Sequence, residues 1–151
     1  MAIDYNADTV IKKTLKDMQD KIEALLETDS PIIVYDQNTF EQLAEAELAG
    51  SQGFIALMYA GMAPTGKDQH GLGTIGRFVI MVSFGGSKAK IKGLTDPVDD
   101  ITYMTFVRQA LTSTKAPNSQ PYKFAGEYPT AFEVVGDGYT QQWNVPMTTK
   151  A

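Results

Sequence analysis

The chain has 151 residues and a mass of 16.5 kDa, with 43% hydrophobic and 21% charged residues, the balance of a single globular domain spanning 1–151. It contains no cysteine, which excludes a disulfide scaffold, a thiolate metal site, an iron–sulfur cluster and a cysteine nucleophile. Thirteen Lys and Arg stand against 18 Asp and Glu, so the net charge of −5 argues against a surface built to bind nucleic acid, and the single histidine, His70, excludes a multi-histidine metal site.

The start of the chain, Met1-Ala2-Ile3-Asp4-Tyr5, does not read as a secretory signal. The most apolar stretch, from Phe54 to Ala63, is interrupted by Gly61 and is half of the roughly 20 residues a spanning helix needs. A protein without membrane contact is expected.

From about Asp8 to Glu27, Ile11, Leu15, Met18, Ile22 and Leu25 recur at steps of four and three, predicting an amphipathic helix with Asp8 as its N-cap. Thr28-Asp29-Ser30-Pro31 ends it, because the residue before proline avoids the helical region. Ile32 to Tyr35 reads as a short strand. A second helix through about Leu48 follows, capped by Asn38 or Thr39, with Phe40, Leu43, Ala44 and Leu48 on its apolar side. Phe54 to Ala60 is nearly all apolar, as in a strand covered on both faces.

A glycine-rich loop is expected over Gly61–Gly73, and then a long strand from Ile75 to Phe84. Phe78, Ile80, Val82 and Phe84 share one face of it, and Arg77, Val79, Met81 and Ser83 the other. The segment Gly85–Thr95 reads as a second polar loop. A third helix opens at Asp96-Pro97, with aspartate as the cap and proline in the first turn. Its expected buried stripe is Ile101, Met104, Val107 and Leu111. Three strands close the chain, Tyr122–Glu127, Ala131–Val135 and Tyr139–Val145, the last two joined by the turn signal Gly136-Asp137-Gly138. A mobile polar tail is expected from about Pro146. The expected class is therefore α+β, an antiparallel or mixed β-sheet flanked by helices in the order α-β-α-β-β-α-β-β-β.

Two glycine motifs invite a phosphate reading. Gly61 to Asp68 nearly fits G-x-x-x-x-G-K-[ST], but Asp68 replaces the magnesium-binding hydroxyl and no helix follows to cradle phosphate. Gly71-Leu72-Gly73-Thr74-Ile75-Gly76 matches G-x-G-x-x-G, yet it leads into a strand where the dinucleotide fold requires a helix. Both read as turn-forming glycines. Asp68 and His70 lack a second histidine or rigid support for a metal, and no serine lies in a G-x-S-x-G elbow. No catalytic residue, cofactor or metal site is predicted. Lys88, Lys90 and Lys92 alternate, so an extended backbone projects them to one side, toward an acidic surface or a phosphate backbone. With Lys67 and His70 they are the candidate partner contacts.

The order of elements carries a resemblance. Ile32-Ile33-Val34-Tyr35, Phe40-Glu41-Gln42-Leu43, Gly53-Phe54-Ile55-Ala56-Leu57-Met58-Tyr59 and Gly76-Arg77-Phe78-Val79-Ile80-Met81-Val82 follow the N-terminal helix. Asp99-Asp100-Ile101, Phe106-Val107-Arg108-Gln109-Ala110-Leu111, Phe124-Ala125-Gly126-Glu127 and Tyr139-Thr140-Gln141-Gln142-Trp143 complete the pattern. In this pattern the chain resembles the phage tail-terminator proteins, in particular the Mu-like branch of contractile tails. The resemblance implies a structural, non-enzymatic virion protein assembled in the host cytoplasm. It implies a hexameric ring of copies that caps the tail tube, ends its polymerisation and docks to sheath and neck or connector proteins. Another neck or head–tail joining component, or a phosphate-binding protein using Gly61–Asp68, are the alternatives.

Overall fold

A computed structural model describes residues 6–28, 33–35, 53–64, 72–132 and 136–149. The elements are α1 (Asn6–Ala24), β1 (Ile33–Tyr35), β2 (Phe54–Pro64), β3 (Leu72–Ser83), α2 (Asp100–Thr112), β4 (Lys123–Phe132) and β5 (Gly136–Thr149). The strands form one sheet in the order β1-β2-β3-β5-β4. Only β1 runs parallel to its neighbour, and the other four strands are antiparallel. The protein is α+β, as its pattern of periods predicts.

Alternation along β3 sets the core. Phe78, Ile80 and Val82 are buried on one face, whereas Arg77 is exposed on the other and Val79 and Met81 are half-buried. Register places Leu57, Ile80 and Gln141 in one row, and Tyr59, Phe78, Trp143 and Phe124 in the next. Met18 and Ile22 of α1 and Tyr103, Met104, Val107 and Leu111 of α2 join these side chains in one cluster. Each fully buried large apolar side chain contributes roughly 1.5–3 kcal/mol, so this cluster supplies much of the driving force. Residues 54–57 of β2 are buried on both faces, as their unbroken apolar run predicts.

Several boundaries differ from the sequence expectation, each for a physical reason. The first helix begins by Asn6, so Asp8 lies inside it and is not its cap. It stops at Ala24, well before Pro31, because Leu26 leaves the helix to pair with Ile91. The next helix starts at Asp100, not Asp96: Asp99 is the cap, its side chain accepting from the Thr102 amide, while Val98 is held by a bridge to Ala89. Ile101 is exposed, and Tyr103 takes the buried place expected for it.

The strands Tyr122–Glu127 and Ala131–Val135 are one strand, β4, as far as Phe132. Tyr128-Pro129-Thr130 does not break it, because β4 lies at the sheet edge, where the missing amide of Pro129 forfeits no ladder bond. A bulge between Phe124 and Gly126, with Gly126 at φ 147°, bends the strand without ending it.

The expected mobile tail from Pro146 is instead the last part of β5 through Thr149. It pairs with Leu72–Ile75 of β3, the Thr74 hydroxyl donates to the Met147 carbonyl (2.7 Å) and the Met147 side chain is buried. Gly61–Pro64, expected in a loop, extends β2 past a bulge at which Gly61 takes φ 101°. The expected second helix through Leu48 lies outside the described residues. No helix among the described residues is long and apolar enough to cross a membrane.

Candidate functional site

Of the five predicted contact residues, Lys67 and His70 lie outside the described residues. The other three stand together on one short segment. Ala89 and Ile91 are buried, and Lys88, Lys90 and Lys92 between and beside them are exposed. The segment is a loop, as expected for Gly85–Thr95, but its backbone is held from both sides. Ala89 and Val98 exchange two backbone hydrogen bonds (2.8 and 2.9 Å), the Glu27 amide donates to the Lys90 carbonyl (2.8 Å) and the Lys92 amide donates to the Leu25 carbonyl (2.9 Å). Two buried anchors thus place the three lysines, a basic strip, on the exposed side of the segment, where Lys90 makes an interaction within the chain.

Acidic residues flank it: Glu27 is bonded through its backbone to Lys90, and Asp99 of the α2 cap feels the charge of Lys88. The Asp99 carboxyl is held below its usual 3.8, first by the Thr102 amide and further by the charge of Lys88. Its neighbour Asp100 is shifted the other way, pushed up by burial.

A second surface was not visible in the sequence. Along the seam between α2 and the edge strand β4, the usual sorting of polar and apolar groups is inverted. Gln141 is fully buried; its Nε2 donates to the Met104 carbonyl and to Glu127 Oε1, both at 2.9 Å. Trp143 Nε1 donates to Gln141 Oε1 (2.9 Å). Arg108 Nη1 donates to the same Glu127 oxygen (2.6 Å), and its Nη2 reaches Thr105 Oγ1 (3.2 Å). The helix and edge strand are therefore tied by a chain of polar groups leading outward from Trp143.

Large apolar groups stand outside that chain. Ile101 is 53% exposed, Phe124 44% and Tyr128 43%, three of the four most exposed large hydrophobics among the described residues. Ile101, Thr105 and Arg108 are spaced by four and three residues, so they share one flank of α2. The Arg108 guanidinium lies 5.8 Å from the Phe124 ring centre, and Phe124 packs edge-on against Trp143 at 5.4 Å. Tyr128 lies on the opposite face of β4, where its hydroxyl accepts from Gln142 Nε2 (3.3 Å). The signal that exposes Ile101 is the true start of α2 at Asp100, which shifts the buried stripe onto Tyr103, Met104, Val107 and Leu111.

Two buried tyrosines are clamps. The Tyr103 hydroxyl donates to the Ile22 carbonyl (2.9 Å), fastening α2 to α1. Tyr122 donates to Asp17 Oδ2 (2.5 Å), which also takes Lys21 (2.5 Å). Burial pushes both phenols well above their ordinary value, with the Asp17 carboxylate adding to the effect at Tyr122. Both remain protonated donors at any physiological pH.

Of the motif glycines, Gly61, Gly73 and Gly76 are in strands, and Gly66 and Gly71 lie outside the described residues. Gly61–Pro64 is strand, and the next described element, β3, is again a strand. Gly73 and Gly76 lie inside β3. A Cβ at Gly76 would sit 2.8 Å from Met147 Sδ, so glycine admits the methionine there. No protein-family model matches the chain, and no curated protein matches it.

Proposed function

We propose that this chain is a structural subunit of a phage-type tail, a terminator that assembles as a ring, caps the tail tube and docks it to neck and sheath proteins. The observation that supports the reading most directly is the inverted seam. Folding alone accounts for buried Gln141 and Glu127-bound Arg108, but it gains nothing from leaving Ile101 and Phe124 in water. Contact with a neighbouring copy does.

A ring needs a heterologous contact, one patch meeting a different patch on the next copy until the circle closes. An edge strand is a natural place for it. The bulge at Phe124 and the proline at 129 discourage β4 from simply extending the sheet into a fibre, so the contact is made through side chains. The order of helices and strands quoted above for the tail-terminator resemblance supports the same reading, and the partners are then further copies, the tube subunit and the sheath and neck proteins.

Light scattering coupled to size exclusion, with negative-stain imaging of the peak, tests it. Six copies of 16.5 kDa give 99 kDa, and a particle of that mass with a central hole is the expected result. A chain that stays monomeric alone and in the presence of tail tubes, and leaves tube length unchanged, overturns the proposal.

A further inference from the structure

We infer that the outer face of the sheet, over β3, β5 and β4, is a docking surface for an amphipathic acidic helix of a partner protein, lying across the strands with carboxylates at i and i+7. The inference does not rest on the ring: it concerns the isolated chain and the opposite side of the sheet from the α2–β4 seam.

Register fixes which residues share this face. Phe78, Trp143 and Phe124 form a row on the side where α1 and α2 pack. Their chain neighbours Arg77, Asn144 and Lys123 form a row on the other side, where Arg77 and Lys123 are exposed. Val79, Gln142 and Gly126 make the next row, and Met81, Thr140 and Tyr128 the one after. Successive rows on one face lie about 6.6–6.8 Å apart, so about 13–14 Å separates the Arg77 row from the Tyr128 row. The row between them is low at the edge strand: a Cβ at Gly126 would meet nothing within 4 Å, and Gln142 Nε2 turns toward the Tyr128 hydroxyl (3.3 Å). A helix is about 10–12 Å across with its side chains and fits between the two outer rows.

Charge selects the occupant. Among the described residues, Arg77 and Lys123 have no hydrogen-bond or ion-pair partner. The acidic residues of the described strands, Glu127 and Asp137, lie on the same side as Gln141, which is the covered one. On a chain of net charge −5, the described part of this face thus carries two cations and no carboxylate. The cations stand on β3 and β4, two strand spacings or about 9.4–9.8 Å apart. Helix residues i and i+7 lie about 10.5 Å apart on nearly one line. A helix crossing the strands therefore sets two carboxylates against Arg77 and Lys123, with i+3 or i+4 toward Asn144. Its other flank meets Tyr128, which is 43% exposed, and half-buried Met81, so that flank is apolar. Duplex DNA, a rod with a charge about every 1.7 Å, extends beyond two cations and meets the acidic remainder of the surface.

The test is a TROSY titration of the full-length labelled protein with two 18-residue helical peptides of identical composition, each with two Glu and a stripe of Leu. In the first the Glu stand at i and i+7, on one flank of the stripe; in the second they stand at i and i+5, about 140° apart around the helix. The expected result is saturable shifts of the amides of 77–81, 123–128 and 140–144 with the first peptide and at least about threefold weaker binding of the second. Affinity for the first falls in about 1 M salt, where the screening length is about 3 Å. In R77Q/K123Q, which keeps both positions polar and whose spectrum must keep its dispersion, affinity falls about fivefold, as two exposed ion pairs of about two- to threefold each imply. K88A/K92A, which removes the same charge elsewhere, changes it less than about twofold. A 12-base-pair duplex is expected to bind more weakly than the first peptide. No saturable shift on this face, equal binding by R77Q/K123Q, an equal loss in K88A/K92A, or tighter binding of the duplex each overturns the inference; the last reassigns the face to a phosphate backbone.

Discussion

The basic strip and the α2–β4 seam are opposite solutions to the same problem of placing polar and apolar groups at a surface. On the strip the sorting is ordinary: Ala89 and Ile91 face the core, and lysines face water. On the seam it is reversed: Gln141 is buried, Arg108 and Glu127 pair at the rim, and Ile101 and Phe124 stand outside. The difference teaches which forces each surface offers a partner. A salt-sensitive contact is expected at the strip, and at the seam one that salt leaves intact or strengthens, because apolar burial is not screened.

The largest effect is expected from breaking the inner side of the seam. Gln141→Leu removes the donors to Met104 and Glu127 and leaves the Trp143 indole N–H without its acceptor. Stranding buried polar groups costs about 1–3 kcal/mol each, so a loss of roughly 3 kcal/mol is predicted. It is read as a lower urea midpoint at unchanged slope.

The α2 cap sharpens the strip side of the comparison. Asp99→Ala removes the acceptor for the Thr102 amide and should cost about 1 kcal/mol, whereas Asp99→Asn keeps the cap and should cost a few tenths. The urea midpoints of the two variants measure the difference.

The same cap predicts a pH dependence. Because the Asp99 carboxyl is held low in the fold, its contribution is complete above the ordinary carboxylate value of 3.8 and is lost as pH falls through the depressed value. Asp100, pushed up by burial, has the opposite sign: its ionisation opposes folding above 3.8, and that penalty disappears in acid. In an Asp100→Asn background the acid loss from Asp99 should therefore stand alone, as a decline in urea midpoint that Asp99→Ala abolishes.

The smallest stability effect belongs to the guard on the edge. Pro129→Thr restores an amide to an exposed edge strand and should change unfolding free energy by about 0.5 kcal/mol or less. Its expected phenotype is time-dependent turbidity or thioflavin binding at high concentration, since the edge becomes able to pair. A variant as clear as wild type would remove Pro129 from that role.

Much of the fold is legible in the sequence because periodicity reports burial. The period-two pattern Phe78, Ile80, Val82 and the four- and three-residue steps through Met18 and Ile22 are direct images of the covered sheet face. What escaped was set by long-range pairing. Leu26 leaves α1 for Ile91, 65 residues away in sequence, and Pro146–Thr149 is strand only because Leu72–Ile75 lies beside it. Pro129 reads as a breaker until its strand is known to be at the edge. The strip was legible, since alternation is local. The seam was not: Ile101 and Phe124 look like core residues, and Gln141 like a surface one, until α2 and β4 are brought together.

The most direct test of the account is the particle mass of two variants measured side by side by light scattering. Ile101→Glu with Phe124→Glu places charge on the seam, and K88A/K90A/K92A neutralises the strip. The account predicts that the seam variant falls from 99 kDa to the 16.5 kDa monomer while the strip variant keeps the ring. A ring that survives charge on the seam, or one that dissolves only when the strip is neutralised, would contradict it.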